Sequence, residues 1–442
     1  MKRRWICWLA AALAAVGCTP EPKPISSEPA APRAATPPNR DARAAKSDAA
    51  PVVAACWPCF HGPKRDNLST ETGLLRQWPK DGPQLLWTAK GLGPGYASVA
   101  VADGTIYTTG NQDEQSAVLA LDMSGKILWR TPFGPAWTGS YPGMKATPTL
   151  DGDRLYVESP HGLVACLRAK TGDKLWTVDM LKQFDAKNIQ WALAESILID
   201  GPRAICCPGG SKGSIVALDK MTGKTVWAAK STGENAAYAT PTLVEHQGLR
   251  ILMNMTAKAL IGVNADTGEL LFHYPHETQY DVNATTPLFH DGQVFITSGY
   301  GSGAEMLKLT VDGAKVSVEK LWDAKQFDNH HGGVLLWDGH IYGCSHGGKW
   351  ICLEWKTGKV AYTDRGVGKG SLTYADGMLY TLTENHVMGL VVADPKAHKV
   401  VGRFNLPAGG EGESWAHPVV CDARLYIRHG DALFCFNLKA NP

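Results

Sequence analysis

The sequence predicts an all-β fold: an eight-bladed β-propeller of four-stranded antiparallel blades, its ring closed by an N-terminal strand. Three observations predict it. The 442 residues include 47 Gly, 27 Pro, 15 Trp and 13 Tyr, two kinds of hairpin alternate along the chain, and an aromatic residue closes a unit every 40 to 51 positions. Glycine and proline supply tight turns, and aromatic side chains suit a pleated, half-buried surface.

The first hairpin is an apolar strand, an Asp-Gly type turn and a strand ending in Tyr. Its clearest copy is Pro148-Thr-Leu-Asp-Gly-Asp-Arg-Leu-Tyr156, with relatives at 99–107, 334–342, 372–380 and 419–426. The second hairpin starts at a small residue, turns at Thr-Gly or Ser-Gly and ends in an aromatic residue, as in Ala217-Leu-Asp-Lys-Met-Thr-Gly-Lys-Thr-Val-Trp227. Its closing residues are Trp87, Trp129, Trp176, Trp227, Phe272, Trp322, Tyr362 and Phe404. Two hairpins per unit give four strands, and a four-stranded unit at this period is a propeller blade. Inner hairpins start near Ser98, Ala146, Leu193, Ala239, Thr285, Gly333, Ser371 and His417, which makes eight. The strand Leu85-Leu86-Trp87 precedes any inner hairpin, and the last unit lacks an outer strand. Pairing these two fragments would close the ring and remove the exposed sheet edges.

With 44% hydrophobic residues and a formal net charge of +2, disorder of the whole chain is excluded, as is a nucleic-acid surface that depends on bulk charge. Lys2, Arg3 and Arg4, the apolar run 5–16 and Ala15-Val16-Gly17-Cys18 read as an export signal over residues 1–17, with Cys18 as the lipid-bearing first mature residue. An ordinary cleaved secretory peptide is the alternative. Residues 18–55 are rich in Pro, Ala and Ser and read as an extended tether. Residues 56–84 are expected to pack on the propeller as an N-terminal extension, and 85–438 to form the ring.

The Ala-x-Asp-x-x-Thr-Gly-Lys-x-x-Trp hairpin resembles the repeat of the quinoprotein, or PQQ-like, propeller family. That resemblance implies that the Trp packs between blades against a small residue and the turn glycine of a neighbour. Trp57-Pro58-x-Phe60-x-Gly62-Pro63-x-Arg65-Asp66, Asn329-His330-His331-Gly332-Gly333 and Gly368-Lys369-Gly370-Ser371 are further similar to a group of exported, BamB-like propeller lipoproteins. The resemblance covers roughly residues 57–438. The seventh unit departs from it, because Ala393-Asp394-Pro395-Lys396-Ala397-His398 lacks Thr-Gly and a Trp in register.

Of eleven cysteines, Cys166, Cys352 and Cys435 fall at the small-residue position and read as buried packing groups. Cys56-Trp-Pro-Cys59 is expected to form a local surface disulfide, with thiol redox chemistry the alternative; it misses the haem-attachment spacing, and no second Cys-x-x-Cys supports zinc. Cys206 and Cys207 are adjacent, as in the vicinal disulfide of quinoprotein dehydrogenases, but strand alternation sends them to opposite faces.

The ligand-binding candidates are residues at the start of the inner strands, where a propeller opens its central channel: Tyr96, Lys145, Trp191, Tyr238, Asn283, His330, His331, Lys369, Trp415 and His417. Loop tips expected on the same face are His161, Lys212, Lys258, Glu305, His346, His386 and His429. Rings and amines converging there suit a flat or anionic ligand. Alternation along a strand predicts that at most one of His330 and His331 faces the channel. No metal site is expected.

These features point to a lipid-anchored, non-catalytic binding or assembly scaffold on the periplasmic side of the cell envelope, monomeric, with envelope or outer-membrane proteins as partners and no cofactor. The alternative is a PQQ-dependent oxidoreductase of alcohols or sugars, with Ca²⁺ held by a Glu and an Asn. Glu195, Asn283 and Lys369 are the residues available for that centre.

Overall fold

The alternating hairpins build eight four-stranded antiparallel sheets from 32 strands, arranged as the blades of a propeller. The computed structural model describes residues 56–440, so the export signal, Cys18 and the tether lie outside the described residues. The innermost strands run from Ala100–Ala102 in blade 1 to Val419–Cys421 in blade 8. Most inner hairpins turn through two consecutive positive-φ residues, such as Asp103 (φ 50) and Gly104 (φ 70), a geometry that matches the twist of the flanking strands.

The core is divided into eight apolar clusters, and most hold residues from two neighbouring blades. One joins Ile205, Ala217 and Trp227 of blade 3 to Leu252, Ile261 and Val263 of blade 4. The closing aromatic residues sit at these seams. A Cβ on Gly125, Gly172, Gly223, Gly268 or Gly358 would lie 2.5 to 2.8 Å from the ring of Trp87, Trp129, Trp176, Trp227 or Trp322 of the preceding blade. Around the axis, hydroxyls link successive blades. Thr147 Oγ1 accepts from the Ser98 amide (3.0 Å), Ser196 Oγ from Thr147 (3.1 Å), and Thr240 Oγ1 from Ser196 (3.2 Å). Buried amides that no fifth strand could reach are satisfied in this way. In the seventh unit, whose turn lacks Thr-Gly, His398 fills the seam by stacking on Trp350 (5.8 Å) and meeting Tyr362 edge-on (5.7 Å).

Blade 8 closes the ring as the strand count requires. Leu85–Ala89 pairs antiparallel with Ala432–Asn437, placing Trp87 opposite Cys435 and Thr88 opposite Phe434. No covalent turn joins these strands, and Gly82 takes the place of the missing turn glycine. Its φ is +85, and a Cβ there would lie 2.5 Å from the Phe404 ring of blade 7. The inner turn of blade 8 also departs from Asp-Gly, since Ala423 holds φ 49 after Asp422. Both of its amides are bonded by the Glu71 carboxylate at 3.0 Å.

Residues 57–69 line the axis. Trp57 exchanges two backbone hydrogen bonds with Val101 of blade 1 (2.9 and 2.8 Å), and Pro58 accepts from Leu150 of blade 2 (2.8 Å). Arg65 donates to the carbonyls of Ser196 and Ile197 of blade 3. Ser69 donates to Tyr374 of blade 7 (2.8 Å). The extension therefore covers inner strand edges that would otherwise be unpaired. Cys56 is bonded to Cys421 of blade 8, not to Cys59. The local pairing fails because Trp57 is pinned in its bridge to Val101, whereas Cys59 enters the turn that follows and donates its thiol to the Gly62 carbonyl (3.0 Å). Cys59, Cys166, Cys352 and Cys435 are free and buried.

Replacing Gly82 by Val should lower stability by about 2 to 4 kcal/mol through positive-φ strain and overpacking. Hydrogen exchange should then quicken in 432–437 before other blades. Conversely, Ala423→Gly should raise the denaturant midpoint, by about 1 kcal/mol of stability, by relieving the left-handed alanine.

Candidate functional site

Inner strands that converge on the axis bring their first residues to one rim. There they enclose a cup of about 480 Å³. Of the ten expected residues, Tyr96, Lys145, Trp191, Tyr238, His330, His331, Lys369, Trp415 and His417 line it. Asn283 does not. It is fully buried, donating to the carbonyls of Thr256 (2.9 Å), Ala257 (3.3 Å) and His276 (3.2 Å), and accepting from Ser298 (2.5 Å). Of the loop tips, only His346 reaches the cup. Lys258 pairs with Asp281 (2.8 Å), Glu305 faces Lys320 (3.7 Å) and His386 packs with its ring tilted against His429 (4.2 Å).

Both His330 and His331 line the cup, contrary to simple alternation. The register shifts between Asn329 and Val334, and the pleat is interrupted at Gly332 and Gly333. A Cβ on Gly332 would lie 2.1 Å from the Gly370 carbonyl oxygen, so the irregular backbone needs that glycine. Phe60 of the extension also lines the cup, while the extension's other contacts fall further along the inner strands, at Val101, Leu150 and Tyr374. Phe60 is thus the floor of a cup that opens at the rim.

Sequence reasoning missed Phe60, Tyr141, Tyr300, Glu384 and Glu413. Glu384 is the hub of the site. Its Oε1 accepts from His331 Nε2 (2.8 Å), Lys369 Nζ (2.9 Å) and Trp415 Nε1 (3.0 Å). Burial alone would push its carboxyl up, but the hydrogen bond from His331 and the Lys369 ammonium outweigh burial and hold it at about 2. Burial pushes the His330 imidazole down to about 2, helped by His331 and Lys369, and lowers His331 and His346 as well. Below the rim, His417 Nε2 donates to the His331 carbonyl (3.0 Å), so its Nδ1 accepts from His61 Nε2 (3.0 Å). Burial holds His417 at about 4. At neutral pH these imidazoles are therefore uncharged, and the cup's cations are Lys369, neutralised by Glu384, and Lys145. The Lys145 ammonium donates to the carbonyls of Tyr141 (3.0 Å) and Gly143 (3.3 Å), and burial lowers it to about 8.

The residues available for a calcium–quinone centre do not fit one. Asn283 is held by backbone carbonyls and Ser298. Glu195 is buried beside Glu158, and neither carboxyl is exposed. Burial raises Glu195 to about 8 and Glu158 well above its ordinary value, so both carry protons near neutrality. Cys206 and Cys207 are reduced and lie in different inter-blade clusters, as strand alternation requires. Among the described residues no group of three or more His, Cys, Asp or Glu is placed to hold a metal ion.

Eight four-stranded sheets, aromatic rings seated on the neighbouring sheet's turn glycines and a ligand-sized axial cup define a β-propeller of the PQQ-like repeat class. The family described as outer membrane protein assembly factor BamB matches residues 71–183 and 114–364, more than half of the chain, and the chain belongs to that family. It is 26% identical to BamB of Kangiella koreensis over 208 residues, 46% of this chain and 48% of that protein. It is 28% identical to the quinoprotein ethanol dehydrogenase of Pseudomonas aeruginosa over 158 residues, 32% of this chain and 25% of the other. The chain thus spans about half the length of the first of these relatives, and less of the second. Its fold is similar to that of BamB from Moraxella catarrhalis (TM-score 0.57, 14% identity, 81% of this chain and 98% of that one). It is also similar to that of quinohemoprotein alcohol dehydrogenase from Comamonas testosteroni (TM-score 0.62, 12% identity, 87% and 81%).

Glu195 ties the site's surroundings to pH. Its folded pKa of about 8 lies above the unfolded value, so its contribution is fully present below about pH 4.3 and is lost as pH rises towards 8. Denaturant midpoints should fall across that window, and Glu195→Gln should flatten the fall.

Proposed function

We propose that the chain is a non-catalytic binding scaffold of the cell envelope, of the outer-membrane assembly type, that engages envelope or outer-membrane proteins. The observation that carries this reading is the state of the axis. The chain's own extension floors the channel, and the groups a calcium–quinone centre would need are buried or engaged elsewhere. What remains on that face is a rim of aromatic and polar side chains suited to recognition. Family membership supports the same reading. No helix among the described residues is long and apolar enough to cross a membrane. In this reading the chain is attached through lipid at Cys18, with the ring on the periplasmic side. The similarity to quinoprotein dehydrogenases favours the alternative of quinone-dependent oxidation of alcohols or sugars, because one fold can host both functions.

Photo-crosslinking in intact envelopes tests the proposal, with the crosslinker at Tyr141 on the rim and, as control, at Val226 on an exposed outer strand. Defined outer-membrane assembly proteins should be captured from the rim and not from the control position, and Cys18→Ser should reduce the yield. Saturable quinone and Ca²⁺ binding coupled to alcohol or sugar oxidation would overturn it.

A further inference from the structure

We infer that Cys59 holds Cys56 in a temporary disulfide while the chain folds, and gives Cys56 up to Cys421 when the ring closes. The inference goes beyond the scaffold reading and does not rest on it, because it concerns how the fold is completed.

Three observations carry it. First, the finished bond joins cysteines 365 positions apart, and Cys421 ends the innermost strand Val419–Cys421 of the last blade to be made. Cys59 is a far nearer partner. With two residues between the thiols, such a loop closes about a thousandfold more readily on chain-entropy scaling than one that spans the ring. In the finished molecule the bridge from Trp57 to Val101 opposes the local pair, but that restraint does not exist until the strand Ala100–Ala102 is in place.

Second, packing does not account for Cys59. Among the described residues Cys166, Cys206, Cys207, Cys344, Cys352 and Cys435 are free and belong to the apolar clusters of the blades. Cys59 is free and belongs to none of them, and its thiol donates to the Gly62 carbonyl (3.0 Å), a bond a serine hydroxyl could make as well. Third, the finished molecule puts this thiol out of use. Cys59 is buried, and burial pushes its thiol up in spite of Arg65, so an expelled Cys59 stays protonated and does not attack back.

The chemistry takes two balanced steps. A small disulfide such as glutathione disulfide oxidises the thiols of Cys56 and Cys59, which become joined, and is itself reduced to two thiols. At closure the Cys421 thiolate attacks Cys56 Sγ, the Cys56–Cys59 bond breaks, and Cys59 leaves as a thiolate that takes up one proton in place of the one Cys421 lost. The second step needs no oxidant. Until the blades close, the cluster cysteines are also open to attack, and a bond from Cys56 to Cys166, Cys206 or Cys207 would fix the extension to blade 2 or 3 out of place. Pairing with Cys59 keeps Cys56 from them.

The test maps the disulfides of the full chain by pulse labelling in producing cells, with acid quenching, alkylation and peptide mass spectrometry. The Cys56–Cys59 bond should appear first and decline as Cys56–Cys421 rises. In a second arm, chain carrying only the Cys56–Cys59 bond is purified unfolded and refolded without oxidant. It should reach Cys56–Cys421 with its number of free thiols unchanged. Cys59→Ser should slow formation of the native bond about fivefold or more and accumulate bonds from Cys56 to the cluster cysteines, while the melting temperature of the finished protein stays that of the unaltered chain. Cys166→Ala, which places opposite Trp176 the alanine that blades 1 and 3 carry as Ala120 and Ala217, should leave the order and rate unchanged. Cys56–Cys421 appearing with no Cys56–Cys59 before it, a refolded chain that keeps Cys56–Cys59, or a folded Cys59→Ser that forms the native bond at the unaltered rate would each overturn the inference. Where a variant does not fold, the order of bonds in the unaltered chain decides alone.

Discussion

The seating of an aromatic ring on the turn glycine of the next sheet is the contact on which the molecule depends. A lone four-stranded sheet of this length exposes two faces and two edges, and stability comes only when neighbours cover the faces. The ring-on-glycine contact fixes how far each sheet is rotated from the last. Where the repeat is imperfect, the seam is kept by substitution. His398 fills it in the seventh unit, and Gly82, from a distant part of the sequence, fills it at ring closure.

Fixed sheet rotation is also what makes the rim a site. The hydroxyls of Thr147, Ser196 and Thr240, accepting from the amides of Ser98, Thr147 and Ser196, tie together the starts of successive inner strands. Side chains a residue or two upstream therefore meet across the axis without long loops. Glu384 gathers blades 6, 7 and 8 by binding His331, Lys369 and Trp415 together. The extension contributes Phe60 below, and the disulfide at Cys56 ties it to blade 8.

Much of the ring was legible in the sequence because its signals are local and repeated. Asp-Gly turns and closing aromatics yielded eight units and a Leu85-Leu86-Trp87 strand left over to close the ring, and the structure has eight blades with that strand paired to Ala432–Asn437. The rim positions followed from register, and nine of the ten candidates line the cup. What stayed hidden was non-local or irregular. Nothing near Cys56 points to Cys421, because their proximity exists only once the ring is shut. Phe60 is unremarkable until the extension crosses the axis. The break in pleating at Gly332 and Gly333 lets both histidines turn inward, against a rule that assumes regular strands. Asn283 has the right position, but its amide is claimed by backbone carbonyls that no periodicity reveals. Glu384 lies two residues before His386, a loop tip that did attract attention.

The eighth sheet is assembled from the two extremes of the ring sequence, with Asn437 bonded to Gln84 across the gap where the others have a turn. During synthesis, seven sectors can therefore consolidate while Leu85–Ala89 waits without its mate. Until residues 432–437 arrive, a half-built toroid carries an adhesive strand at one end and an uncovered flank at the other. The vulnerable moment for this molecule is its last step, when a second half-built ring nearby could supply the missing strand in trans.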